Sequence, residues 1–111
     1  MIDTYRLLEK FARTEYRAIV SETKIIRKRC IASSKLRIIF KDSSFLDIWL
    51  SISGKYSYHW EQRAQRGCIL RHDNAPFHTE ISTYPKHLHE DSEQNVKPSN
   101  SAKPLAAALN N

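Results

Sequence analysis

Apolar residues recur at two different periods along the chain, and the change of period divides it. From Met1 to Ala12 the spacing is helical. Tyr5, Leu8 and Ala12, joined by Leu7 and Phe11, form one stripe, and Asp3 is placed to cap the first turn. A stripe of this kind is a packing face rather than a ligand site. From Tyr16 the period falls towards two: Ala18, Val20 and Glu22 alternate with Arg17, Ile19 and Ser21, and the run continues through Ile26. Leu36, Ile38 and Phe40 define a second strand, and Lys41-Asp42-Ser43-Ser44 a polar turn. Phe45 to Ile52 is a third strand, with Leu46, Ile48, Leu50 and Ile52 on one face. Ser53-Gly54 marks a hairpin, because glycine tolerates the positive φ such turns require. Tyr56 to Glu61 is a fourth strand; Tyr56, Tyr58 and Trp60 share one face, while Ser57 and His59 point the other way. A polar loop from Gln62 to Gly67 leads to a fifth strand, Cys68 to His72.

These connections are too short for helical crossovers. The pattern therefore predicts an α+β fold: an antiparallel meander of about five strands, packed by the N-terminal helix, with a loop-rich C-terminal segment. Asn74-Ala75-Pro76 and Pro85 interrupt regular structure after Asp73, and Glu90 to Lys103 is rich in Ser, Asn, Glu and Pro. The expected division is a single domain over residues 1–90 and a flexible or partner-dependent tail over 91–111. Within that tail, Leu105 to Leu109 has the composition of a short helical turn that could dock on a partner or on a second copy of the chain.

Charge adds a direction. The formal net charge is +6, and it is uneven: up to Arg71 there are 15 Lys and Arg against 7 Asp and Glu, and beyond it 3 against 5. A basic body suits a polyanionic partner, most often nucleic acid. Arg27-Lys28-Arg29 is the densest cluster, either a solvated strand end or a phosphate contact. Cys30 and Cys68 lack metal-site spacing and sit in apolar sequence, which predicts buried, reduced thiols. No apolar run approaches the ~20 residues of a membrane span, and no signal peptide precedes the first helix, so a cytoplasmic protein with no membrane partner is expected.

The candidate chemistry lies between Tyr56 and His89. All five histidines, His59, His72, His78, His87 and His89, fall there. No Gly-rich phosphate loop, nucleophile elbow or paired-cysteine zinc pattern occurs, and no cofactor is expected. Histidines with Arg and Lys can cleave RNA without a metal: one group takes the 2′-hydroxyl proton, another protonates the leaving oxygen, and cations stabilise the phosphorane. His59 sits on a strand, opposite the aromatic row; His78 follows the Pro76 break; His87 and His89 share a side of extended chain, as do Arg71 and Asp73. The aromatic row is foremost a core element, with base stacking by Tyr58 as its functional alternative.

Three blocks in this region resemble the TumE-type toxins of prokaryotic toxin–antitoxin systems. They are Lys55-Tyr56-Ser57-Tyr58-His59-Trp60, then Arg71-His72-Asp73-Asn74-Ala75-Pro76-Phe77-His78, then Pro85-Lys86-His87-Leu88-His89; Asn95-Val96-Lys97-Pro98-Ser99 is similar to the family's closing motif. The resemblance spans roughly Leu36 to Ser99. It departs at His72, where the family has Trp, and at Phe77, where it has His. The resemblance implies a small toxin acting as a ribonuclease, neutralised by a cognate antitoxin protein.

The sequence thus predicts a metal-independent endoribonuclease with RNA and an antitoxin as partners and a second copy as a further candidate. His59 and His78 are the first proton-transfer pair and His87 and His89 the second. Arg71 and Lys86 stabilise phosphate charge, Arg27, Lys28, Arg29 and Tyr58 bind RNA, and Asp73 and Asn74 position the loop. A non-catalytic RNA- or antitoxin-binding module, and a metal-dependent hydrolase using His87 and His89, are the competing readings.

Overall fold

A computed structural model describes residues 1–76 and 80–98. The chain opens with helix α1 (Ile2–Glu15) and continues as seven strands: β1 (Val20–Ile26), β2 (Lys35–Phe40), β3 (Phe45–Leu50), β4 (Tyr56–Gln62), β5 (Cys68–Asp73), β6 (His87–Asp91) and β7 (Val96–Pro98). A four-residue helix, α2 (Arg63–Arg66), lies between β4 and β5. The strands form one antiparallel sheet in sequence order, so each pairs with its chain neighbours. Such a meander needs only short connections, as the spacing of the apolar runs implied.

Alternation along β2, β3 and β4 puts Leu36, Ile38, Leu46, Ile48 and Tyr58 on one face, where all are buried. The register aligns them in rows: Leu36 opposite Ile48, Ile48 opposite Tyr58, Tyr58 opposite His72. Helix α1 covers this face through Tyr5 and Ala12, with Leu8 packed against the cluster. Tyr5 is bonded as well as packed. Its hydroxyl donates to the Ser34 carbonyl at 3.0 Å and accepts from the Leu50 amide at 2.9 Å, which ties the helix to the entry of β2 and the exit of β3. Leu7 and Phe11 lie on the outer flank of α1 and stay exposed. Among the described residues no α-helix covers the opposite face of the sheet.

The sheet departs from expectation in several places. It has seven strands rather than about five, because β6 and β7 continue the ladder past residues 74–86. The ladder crosses Glu90, and the turn between β6 and β7 is closed by the Glu90 amide donating to the Asn95 carbonyl at 2.9 Å. Helix α1 runs to Glu15; its N-cap is Met1 without a side-chain bond, so Asp3 serves as a first-turn acid rather than a cap. The expected alternation from Tyr16 does not begin there: Tyr16 to Ile19 form a turn closed by the Ile19 and Val20 amides donating to the Tyr16 carbonyl, and β1 starts only at Val20. The third strand stops at Leu50, not Ile52. Ser51 and Lys55 close the hairpin instead, with Gly54 at φ +88°, and Ile52 is left 93 % exposed. The expected polar loop after Gln62 contains α2, stopped by Gly67 in the left-handed conformation. Cys30 is exposed rather than buried, and both cysteines are free thiols. Among the described residues no helix is long and apolar enough to cross a membrane. His78 and the Leu105 to Leu109 segment lie outside the described residues.

The two apolar positions Ile38 and Ile52 make opposite predictions. Ile38→Ala empties a fully buried site beneath α1 and should cost ~2–5 kcal/mol in chemical denaturation. Ile52→Ser, at the hairpin tip, should leave the unfolding midpoint unchanged within error.

Candidate active site

The open face of the sheet is built by the residues that alternate with the core. One row runs across five strands: Arg37 pairs with Asp47, Asp47 with His59, His59 with Arg71 and Arg71 with His89. The adjacent row runs from Trp49 through Ser57 and Asp73 to His87. Along β2 to β4 the alternation sends the apolar core residues towards α1 and the charged residues to the other face. A shallow cavity of about 490 Å³ lies over the first row, lined by Lys35, Arg37, Arg63 and Arg71 with Asp47, Glu61 and His59.

Lys35, Arg37 and Arg63 are held in place by the two carboxylates. Arg37 makes a bidentate contact to Asp47 at 2.7 and 2.9 Å, and Lys35 reaches the same carboxylate at 2.7 Å. Burial pushes the Asp47 carboxyl up, but the bonds from Arg37 and Lys35 outweigh it and leave the group below its usual range. Glu61 is held at about 2, chiefly by the hydrogen bonds of Arg63, against a smaller effect of burial. The lining carries four cations against Asp47 and Glu61, and with Glu93, bound to Arg71, counted as well the cavity keeps a positive balance at neutral pH.

His59 lies at the centre. The Arg71 guanidinium donates from Nε to His59 Nδ1 at 3.2 Å. A guanidinium has no acceptor, so Nδ1 carries a lone pair and the ring proton is on Nε2, which faces Glu61 Oε1 at 3.3 Å. The imidazole is therefore neutral. Burial lowers its pKa first and the Arg71 charge adds to that; Glu61 and Glu93 pull the other way without reversing it. Arg71 is itself anchored at 2.8 Å to Glu93, in the turn between β6 and β7.

His87 and His89 project from β6 on the same face and both turn to Asp73. His87 Nε2 lies 2.7 Å from Asp73 Oδ1, and His89 Nε2 3.4 Å from Oδ2. Asp73 also accepts the Ala75 amide at 3.0 Å, and Asn74 bridges the Tyr56 amide and the Gly54 carbonyl, joining the end of β5 to the β3–β4 hairpin.

The sheet thus brings together His59, Arg71, Asp73, His87 and His89. Lys86 is exposed just before β6. Arg27, Lys28 and Arg29 are exposed in the connection after β1 and outside the cavity lining. Tyr58 is corrected: it is only 4 % exposed, inside the core under α1, its hydroxyl raised by burial to about 12, so its ring is not offered to a base. Lys35, Arg37, Asp47, Glu61, Arg63 and Glu93 were not singled out from sequence. The strict alternation of Lys35 and Arg37 with Leu36 and Ile38 was the signal for a charged open face; for Glu93 there was none.

A basic sheet with a histidine-centred polar face defines a class of small α+β proteins suited to anionic ligands. The family model described as Toxin TumE matches residues 5–110, and the chain belongs to that family. It is accordingly a toxin of a toxin–antitoxin system, with a cognate antitoxin as its partner. Comparison with curated proteins and with solved structures returns no match.

The hydrogen bonding of His59 is directly measurable. In a ¹H–¹⁵N titration its ring should titrate below the ordinary histidine range, with the Nε2–H tautomer above the transition. Arg71→Gln should move the transition up and Glu61→Gln should move it down. Because the folded pKa is depressed, this group's stabilising contribution is present above the unfolded value, near 6.5, and is lost as pH falls through the folded one. A normal His59 transition that is insensitive to both changes would contradict the assignment.

Proposed function

We propose that this toxin is an endoribonuclease that cleaves RNA on the open face of the sheet, by proton transfer through His59 and without a metal in the chemical step. One observation carries the reading: a neutral imidazole with its Nδ1 lone pair against a guanidinium, in a cavity with more cations than carboxylates. Neutral histidine is a competent general base, and an adjacent cation is what a developing phosphorane needs.

In this reading the RNA phosphate takes over Arg71 Nε as ligand, releasing Nδ1 of His59. His59 removes the 2′-hydroxyl proton, the 2′-oxygen attacks phosphorus, and the 5′-oxygen leaves as a second group supplies its proton. Arg71, still tied to Glu93, stabilises the charge on the non-bridging oxygens. His78, outside the described residues, is the sequence candidate for the second proton transfer. His87 and His89 are turned inward onto Asp73 and are assigned to support of the β5–β6 end rather than to proton transfer. The competing reading, a module that binds RNA or antitoxin without cutting, keeps the same electrostatics but makes His59 a contact group.

Cleavage of a labelled RNA separates the two. His59→Ala should lower the single-turnover rate by roughly 10²–10⁴-fold, with RNA affinity much less affected. The wild-type rate should rise with pH through the depressed His59 transition, because only the neutral ring accepts the proton. Bound but intact RNA at every pH tested would leave the binding module as the function.

Salt dependence tests the basic cluster separately. Replacing Arg27, Lys28 and Arg29 together with Ala should reduce the slope of log affinity against log salt, by up to ~2 for three lost single-strand phosphate contacts. An unchanged slope would make the cluster a solvated loop.

A further inference from the structure

The geometry points to a site for a divalent first-row transition-metal ion between Asp73, His87 and His89. The argument starts from what the far side of each imidazole is doing. His87 Nδ1 is 2.9 Å from the Pro85 carbonyl, and His89 Nδ1 is 2.7 Å from the Glu93 carbonyl. A carbonyl oxygen only accepts, so both rings carry their proton on Nδ1. In the neutral tautomer each then presents an Nε2 lone pair, and the register aims both at one carboxylate. His87 stands directly opposite Asp73, and His89 is two pairs further along the ladder, on the same face, opposite Arg71. The closest approaches, 2.7 and 3.4 Å, set nitrogen lone pairs against carboxylate oxygens in a place where all three side chains are buried. With both rings neutral these acceptors repel one another, and a cation seated among them turns the repulsion into coordination.

The remaining geometry fits. One ligand atom from each of the three residues can be chosen so that all lie within 4.8 Å of one another. The two rings are held 77° apart in plane, with centroids 4.9 Å apart, so their lone pairs converge from different directions. Zinc–nitrogen and zinc–oxygen distances of ~2.0–2.2 Å place tetrahedral ligands roughly 3.3–3.5 Å apart. His89 and Asp73 already stand at that spacing, and His87 needs only a small withdrawal. Nδ1–H bonds to backbone carbonyls are the outer-shell contacts that fix the tautomer and aim of ligating histidines. Two imidazoles and one carboxylate select Zn²⁺, Fe²⁺, Co²⁺ or Ni²⁺ over Mg²⁺ and Ca²⁺, which favour oxygen donors throughout. Three protein ligands leave a coordination position for water.

The ion would join the end of β5 to the start of β6, the two strands that bracket residues 74–86. It takes no part in the proton transfers assigned to His59, and its presence does not depend on the nuclease reading.

Tag-free protein, stripped with chelator and exchanged into metal-free buffer, should bind Zn²⁺ at one ion per chain in isothermal titration, with no RNA present. His59→Ala should keep that affinity. Asp73→Asn and His87→Gln, shown folded by circular dichroism, should each lose about 100-fold or more, at the upper end of what loss of an outer-shell partner alone costs. A second measurement needs no variant. Co²⁺ added to the stripped wild type should give the intense visible absorption of a four- or five-coordinate ion with nitrogen donors. Sub-stoichiometric Zn²⁺ binding, affinity unchanged in both variants, or only the weak spectrum of hydrated Co²⁺ would overturn the site. The cluster would then be an ion pair in which the imidazoles are protonated on both nitrogens.

Discussion

Backbone pairing in one continuous antiparallel ladder is the constraint on which everything else in this molecule depends. It fixes not only which strands touch but which side chains share a face, because the side-chain period along a strand is two. The row Leu36–Ile48–Tyr58 lies under α1, and the row Arg37–Asp47–His59–Arg71–His89 lies on the other side of the same strands. A slip of one residue at any ladder would place charges under the helix and hydrocarbon in the cavity. Core and site are thus specified by the same register. The burial that makes the core favourable also holds His59 against Arg71.

The open face has to remain basic without pushing the strands apart. It does so by sharing acceptors. Asp47 serves both Lys35 and Arg37, and Glu61 serves Arg63 and His59. These pairs are partly exposed to solvent, so their net stabilisation is small. Their larger effect is geometric: they fix guanidinium planes over the sheet, where a bidentate anion can meet them. Glu93 extends the arrangement from a distant strand turn and makes the position of Arg71 depend on β6 and β7 having formed.

How much of this was legible from sequence follows from which residues carried the pattern. The helix and the strands β2 to β5 could be read because Leu36, Ile38, Leu46, Ile48 and the aromatic row announce a period of two in strongly apolar residues. Strands β6 and β7 could not: their inward and outward positions are filled by His87, Leu88, His89, Val96 and Lys97, and hydrophobicity barely alternates there. The end of β3 was misplaced because Ile52 continues the apolar pattern, while its position is decided by the Ser51–Lys55 turn. His59 was placed correctly on the face opposite Trp60 by alternation alone. Tyr58 was given an RNA-binding role that its own strand position excludes, since the face it shares with Leu46 and Ile48 is the one α1 covers. The acidic partners were missed for a physical reason. A lone Asp47 or Glu93 has no sequence signature as an anchor until the ladder sets a cation across from it.

The same ladder places two centres side by side with different demands. In the proposed reaction His59 uses its Nδ1 lone pair once an anion has drawn the guanidinium away, and it sits in a cavity open to solvent. His87 and His89 have their Nδ1 protons committed to backbone carbonyls and their rings shielded, an arrangement suited to holding rather than exchanging. Arg71 and Asp73 are two residues apart on one strand, so the rigidity of the second centre is transmitted to the first through β5. The ion proposed between Asp73, His87 and His89 would add a direct link between β5 and β6. Glu93, four residues beyond His89, touches both centres: its carbonyl meets His89 Nδ1 and its carboxylate holds Arg71.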